Sequence, residues 1–573
     1  MTMKSAPDTV RVATAQFYSG TDVQENLETV IGYMREAKAH GCHLLVTPEN
    51  SNRVRNYSSR EECYEKSEEL DGLFVTGLQK AAREIGIMLA VGVDLRDGDS
   101  PTVRIAQVLI DSTGDILHVH HKTVFWDYEY TLFVPGSKQL EVIDTRIGRI
   151  GQLLCADGIV PEVPRILALK GAQILTNSLN SRGPDEMRVH EPLRAIENHV
   201  WHVASNTVGG PSDGYPWTGG SQVIAPDGTI LACAGEVEEG MVWADITPST
   251  SYPKSLRGIG ALDSLRRPEL YGELLEPIDS LPVASMYGPV PDGTPVKPLR
   301  VAVLQTSWYH ATEWTLRRIG MQIDYAAKKG AQLGVFPELC VHKRGSIEED
   351  PAAAAALAKE ALEVATKAAA EAGIWVAISL VERDGDSFYS TVFLIDSTGT
   401  VHDTYRKVHL SEDERRWASA GDRFVVADTP LGRLGLMSGN EVWLPEVTRI
   451  LSLRGAEVIL HPADWDRPEA AHQAATERTE ENRTHLVSVA RTDNVAGVGS
   501  QVTFADRFMV GQPIALMRYP SAAWTRPGFE EDLFVDLDLM DSHSKVQGFH
   551  LDPLATRQPE LYHAFVGPFG EGE

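Results

Sequence analysis

The chain repeats itself once, and that halves the folding problem. Arg11-Val12-Ala13 and Gln16 return as Arg300-Val301-Ala302 and Gln305. Pro48-Glu49 returns as Pro337-Glu338, and Gly148-Arg149-Ile150-Gly151 as Gly432-Arg433-Leu434-Gly435. Pro161-Glu162-Val163 and Arg165-Ile166-Leu167 return as Pro445-Glu446-Val447 and Arg449-Ile450-Leu451, and Pro268-Glu269-Leu270-Tyr271 as Pro559-Glu560-Leu561-Tyr562. A repeat this long is a duplicated domain, since solenoid units run to about 20–50 residues. Between the copies lie Pro277, Pro282, Pro289, Pro291, Pro295 and Pro298. Proline removes backbone donors and favours extended chain, so this segment reads as a semi-rigid linker. The expected domains are 8–276 and 299–566, joined by a Pro-rich linker at 277–298.

Within each copy, short apolar strands alternate with amphipathic helices. Residues 11–17 read as a strand; Leu27, Val30, Ile31 and Met34 then fall at helical spacing, and Gly41 can end that helix. Leu44-Leu45-Val46 is the next strand. The second copy repeats this with Leu316, Ile319 and Ile323, then Gly330, then a strand at 333–336. The Ala-rich stretch 352–372 reads as a helix matching 68–85. Such alternation predicts a layered α/β fold, its sheets covered by helices.

The net charge is −27. An acidic surface repels phosphate, which argues against nucleic acid and anionic membranes as partners. No apolar run approaches the roughly 18–20 residues that cross a bilayer. The N-terminus has no apolar core of a secretory signal. The five cysteines form no Cys-x-x-Cys pair, so neither a disulfide framework nor a four-thiolate metal site is expected. The expectation is a cytoplasmic protein with reduced thiols.

Three polar residues of the first copy follow apolar segments: Glu49, Lys122 and Cys155. Strand ends converge at the edge of a sheet, where α/β folds place their sites. A thiol must lose its proton to attack. A carboxylate can take that proton, and an ammonium can stabilise charge developing on the substrate.

At these residues the chain resembles the nitrilase superfamily of carbon–nitrogen hydrolases. Thr47-Pro48-Glu49-Asn50 is similar to the catalytic-glutamate motif. His121-Lys122-Thr123, with Glu129 and then Pro135-Gly136 beyond, is similar to the catalytic-lysine motif. Residues 148–157, ending in Cys155-Ala156-Asp157, with Pro161-Glu162 beyond, resemble the nucleophile motif. Arg194-Ala195-Ile196-Glu197-Asn198 resembles the helix motif that follows it. The resemblance covers nearly the whole chain. It implies two tandem four-layer α-β-β-α sandwiches, paired as an intramolecular pseudo-dimer that could assemble further into a homo-oligomer. It also implies no metal or organic cofactor and a small-molecule substrate.

By that resemblance Cys155 is the nucleophile, Glu49 the general base and Lys122 the electrostatic stabiliser. Glu129 orients Lys122 and the substrate nitrogen, and the Ala156 N–H completes the oxyanion hole. Ala156-Asp157 stands where nitrile-cleaving branches often carry Trp-Glu. The implied reaction is therefore hydrolysis of an amide or N-carbamoyl group through a thioester, releasing ammonia or an amine. The alternatives are a nitrile substrate, acyl transfer to an acceptor other than water, and a non-catalytic binding protein. Trp126, with Tyr128 and Tyr130, is a candidate pocket wall, and Asn180 a candidate substrate contact.

In the second copy Glu338, Lys407 and Glu414 match Glu49, Lys122 and Glu129, but Gly439 falls opposite Cys155. Ser438 falls opposite Leu154, and strand alternation would turn its side chain to the other face. The expectation is a second site without a nucleophile, with Ser438 as the rival. The segments 165–172 and 194–198, repeated at 449–456 and 478–482, are the expected pairing surfaces; Arg194 and Glu197 serve structure rather than chemistry. His118 and His120 share a strand face that could seat a metal, but no third ligand at suitable spacing is evident. Gly210-Pro211-Ser212-Asp213-Gly214 matches Gly-x-Ser-x-Gly by letter, yet lacks the strand before and helix after that a nucleophile elbow needs.

Overall fold

The computed structural model describes residues 9–567 apart from 97, 127, 138, 184, 211–216, 257, 288–297, 507–520 and 547–550. The letter match at 211–214 and the prolines at 289, 291 and 295 lie outside the described residues.

The chain forms two compact units, 9–256 with 551–567 and 258–506 with 521–546. In the first unit, one sheet runs in the order Gly240–Ile246, Val10–Gln16, Leu44–Val46, Met88–Arg96, Val103–Ile110, Ile116–His121. Its three middle strands are parallel, with Val12 opposite Leu44 and Leu44 opposite Met88. The other sheet runs Ile230–Cys233, Gln222–Ile224, Trp201–Ser205, Ile174–Ser178, Gly148–Leu154, Val142–Thr145. It too has three parallel strands, with Leu154 opposite Ser178.

Both faces of the first sheet are buried, which explains why its strands read as continuous apolar runs. Val10, Val12, Leu44, Val46 and Met88 pack across to Ile150, Ile174, Trp201 and Val203 of the second sheet. Ala13, Ala15, Leu45, Leu89 and Val91 meet Leu27, Val30, Met34, Phe74 and Leu78 of the helices Val23–Ala39 and Leu73–Ile85. The helices Glu162–Leu169 and Glu191–Asn198 pack on the second sheet. The layers are therefore α-β-β-α. Local signals agree: Asp22 caps the Val23–Ala39 helix by accepting from the N–H groups of Gln24 and Glu25. Gly86 ends the Leu73–Ile85 helix in the left-handed region, φ 75°.

The second unit repeats this with two six-stranded sheets. Thr312–Lys328 and Pro351–Ala372 cover one, and Pro445–Leu453 and Thr476–Asn482 belong to the other. The Ala-rich stretch is helical as expected.

The tails depart from the 8–276 and 299–566 division. Residues 258–287 belong with the second unit, and 551–567 with the first. The cause is burial of the repeated Pro-Glu-Leu-Tyr segments. Tyr271 is fully buried, bonds His409 Nε2 at 2.8 Å and stacks with Phe424. Gln558 donates to the Thr123 carbonyl at 2.9 Å, and Arg557 pairs with Glu162 at 3.2 Å. The start of the expected linker is likewise folded: 3-10 turns span Ile278–Ser280 and Pro282–Met286, burying Val283 and Met286. Among the described residues no helix is long and apolar enough to cross a membrane.

Candidate active site

Glu49 lies just beyond the strand Leu44–Val46, its N–H bonded to the Leu179 carbonyl at 3.1 Å. Gly92 of the neighbouring strand lies against its backbone; a Cβ there would sit 2.2 Å from the Glu49 carbonyl oxygen. Lys122 ends Ile116–His121, and its N–H and C=O bond the Ile105 carbonyl and the Gly136 N–H. Glu129 opens the short helix Glu129–Leu132.

These side chains meet in a buried cluster. Lys122 Nζ donates to Glu49 Oε1 at 2.8 Å and to both Glu129 oxygens at 2.8 and 2.9 Å. Glu129 also accepts from the Trp126 N–H at 2.8 Å. Arg55, which the motifs did not single out, bonds Glu49 Oε2 at 2.9 Å, Glu129 Oε1 at 3.0 Å and Asp94 at 2.9 Å. Its guanidinium lies over the Phe133 ring. The fork of donors ties three carboxylates that would otherwise repel. In the repeat Arg344 stands at the same spacing from Glu338, but there it pairs with Asp464.

Cys155 ends the strand Gly148–Leu154 and opens the turn Cys155–Gly158 with φ 47°. A non-glycine residue here is strained and needs surroundings that hold it. Its N–H donates to Asn177 Oδ1 at 2.8 Å, and Asn177 Nδ2 donates to Glu191 at 2.8 Å. Arg194 grips the far end of the turn through the carbonyls of Gly158 and Ile159, both at 2.7 Å, while bonding Glu197 at 2.6 Å. Asp157 accepts from the Thr123 and Val124 N–H groups at 2.9 Å, tying this turn to the segment after Lys122. Asp157 also bonds His120 at 2.8 Å, and His118 bonds Gln152 at 2.7 Å, so both histidines have protein partners.

Burial pushes the Cys155 thiol well above its ordinary value; the Lys122 ammonium pulls against this, while Glu49, Glu186 and Glu129 add to it. Burial likewise acts to raise Glu49, but Arg55 and Lys122 outweigh it and hold the carboxyl below its usual range. Lys122 stays firmly cationic despite burial, because the Cys155 sulfur once ionised, Glu129 and Glu49 favour its charge. The resting site is thus a neutral thiol beside an ionised carboxylate and an ammonium.

Of the candidate contacts, Ala156 is buried as the second residue of the Cys155–Gly158 turn. Trp126 is half-buried, while Tyr128 and Tyr130 are exposed. Asn180 has a buried Oδ1 that accepts no hydrogen bond. Sequence reasoning also missed Glu186, a buried acid near the thiol whose Oε1 has no partner and whose burial raises it to about 8.

The second unit keeps the charged part. Lys407 Nζ bonds Glu338 Oε1 at 2.9 Å and Glu414 Oε1 at 2.6 Å. Gly439 has φ 54°, matching Cys155, and a Cβ there would lie 2.3 Å from the Glu338 carboxylate. One expectation is overturned. Ser438 does not turn away: its hydroxyl donates to Glu338 Oε1 at 3.0 Å. The residue lies beyond the strand Gly432–Leu436, so ladder alternation no longer fixes its direction.

The carbon-nitrogen hydrolase family model matches residues 11–253 and again 300–507. The chain belongs to that family. Among relatives of this carbon-nitrogen hydrolase, a nitrilase of Pyrococcus abyssi is 30% identical over 42% of this chain and 89% of its own. Human deaminated glutathione amidase is 31% identical over 47% of this chain and 85% of its own. N-carbamoylputrescine amidase of Solanum lycopersicum is 28% identical over 48% of this chain and 97% of its own. A solved amidase from Nesterenkonia sp. is 26% identical, covering 44% of this chain and 95% of its own, with a TM-score of 0.38. The family match in both halves makes this a tandem carbon-nitrogen hydrolase, acting on carbon–nitrogen bonds other than peptide bonds.

Proposed function

We propose that the first unit hydrolyses a small carboxamide or N-carbamoyl compound, with Cys155 as nucleophile and Glu49 as base. The observation that carries this reading is the buried cluster of Lys122 with Glu49 and Glu129 beside a thiol held at positive φ. Amidase and carbamoyl-amidase relatives support it.

In the first half-reaction Glu49 takes the thiol proton as sulfur attacks the substrate carbon. A proton transfer concerted with attack suits a thiol too buried to ionise alone. The new oxyanion is met by the Lys122 ammonium and the Ala156 N–H. Glu49 returns the proton to the leaving nitrogen, and ammonia or an amine departs from a thioester. Glu129 keeps Lys122 in place and offers an acceptor for the leaving group's N–H. Water then attacks the thioester, Glu49 takes its proton, and the thiol is regenerated with the acid product. The second unit lacks the thiol in this reading: Gly439, opposite Cys155, has no side chain, and the Ser438 hydroxyl that donates to Glu338 comes from the position of Leu154, one residue before the nucleophile's place.

The test is ammonia release from a panel of carboxamides, N-carbamoyl compounds and nitriles. Wild type is expected to turn over an amide or carbamoyl compound, and Cys155→Ala to lose about a thousandfold or more. Equal rates in the two proteins, or turnover confined to nitriles, would contradict the proposal.

A further inference from the structure

The second unit contains a cavity of about 330 Å³ at the ends of its strands, in the size range of about 300–1,000 Å³ typical of small-molecule sites. Its ionisable lining comprises six carboxylates and three cations. All three cations are already engaged: Lys407 by Glu338 and Glu414, Arg344 by Asp464, and Arg416 by Glu348 and Asp413. The excess charge is therefore negative. Burial raises Glu338 to about 7 and holds Asp464 and Asp466 above their ordinary values, despite those cations.

Two lining residues have polar atoms left over. Asn440 has both its Nδ2 and its Oδ1 buried without a hydrogen bond, and Asp464 has a buried, unpartnered Oδ1. A buried polar group without a partner costs about 1–3 kcal/mol, which a ligand can recover. Both depart from the first copy: by the repeat's register Asn440 replaces Ala156 and Asp464 replaces Asn180. Trp417 lines the same cavity and offers an apolar surface.

From this geometry we infer that the second unit is a binding site for a small organic cation, an alkylamine or alkylguanidine. The cation's N–H groups pair with Asp464 Oδ1 and Asn440 Oδ1, and its chain lies toward Trp417. The site binds without turnover, and the inference does not depend on the chemistry proposed for Cys155.

The test is titration calorimetry on the full chain with four probes of one chain length: n-butylamine, n-butylguanidine, n-butanol and butyrate. The two cations are expected to bind, n-butanol more weakly and butyrate not at all. Asp464→Asn should weaken the cations about tenfold. Because Asp464 also holds Arg344, Asn440→Ala is the companion variant; Asn440 makes no side-chain hydrogen bond within the protein, so its removal spares the fold. Cys155→Ala should leave the affinities unchanged. Absence of cation binding, butyrate binding as well as the amine, wild-type affinity in Asn440→Ala, or loss of binding in Cys155→Ala would each overturn the inference.

Discussion

Arg55 shows how one residue sets the chemistry of its neighbours. It bonds Glu49, Glu129 and Asp94 at once, and it is the largest influence holding Glu49 down against burial. Glu49 must be ionised to accept a proton. Arg55→Met should therefore raise the Glu49 pKa and move the acid limb of the kcat/KM profile upward by about one pH unit. An unmoved acid limb would show that Arg55 does not tune the base. The motifs pointed to Glu49, Lys122, Glu129 and Cys155, and the structure brings the first three into one hydrogen-bonded cluster beside the fourth. Arg55 and Asp94 escaped because a lone Arg in a polar loop and a lone Asp in a strand look the same whether solvated or buried. Only the three-dimensional fold brings charges so far apart in sequence together. Ser438 misled for a related reason: alternation predicts direction only while the ladder continues, and here it has stopped.

At the level of elements, the site depends on how closely two strands of the first sheet can approach. Gly92 is at the crossing, where the chain after Leu44–Val46 passes over Met88–Arg96. Any side chain would collide with the Glu49 backbone, so Gly92→Ala should shift Glu49 away from Lys122. The expected result is a loss of about 1–3 kcal/mol in stability, as for an overpacked core, together with a fall in kcat. Wild-type stability and activity would mean that the strands can part without moving the carboxylate. Strands and helices of this sandwich were readable because both sheets alternate parallel strands with covering helices, leaving long apolar runs and clear caps. Strand order was not readable, since it depends on pairings far apart in the chain.

At the scale of the whole molecule, the repeat shows the number of units but not their composition. Each copy ends in a Pro-Glu-Leu-Tyr segment, and equal motifs in equal places suggest that each stays with its own copy. Instead 258–287 belongs with the second unit and 551–567 with the first. Periodicity cannot reveal this, because either arrangement buries the same apolar side chains. A chain ending at residue 546 should consequently damage the first unit, which loses Arg557 from Glu162 and Gln558 from Thr123, next to Lys122. Thermal unfolding should come earlier and Cys155-dependent turnover should fall. A shortened chain as stable and active as the full one would contradict that view of the tail.

The chemistry proposed for the first unit turns on Cys155 being a thiol activated by Glu49 inside an assembled site. The most direct measurement is the rate of Cys155 alkylation as a function of pH, read by peptide mass spectrometry, in wild type and Glu49→Gln. The site predicts labelling of Cys155 ahead of the buried Cys42, Cys63 and Cys340, with a pH dependence that shifts once Glu49 cannot accept a proton. A Cys155 that labels no faster than those three, even with a smaller reagent, and that ignores the Glu49 substitution would contradict the account.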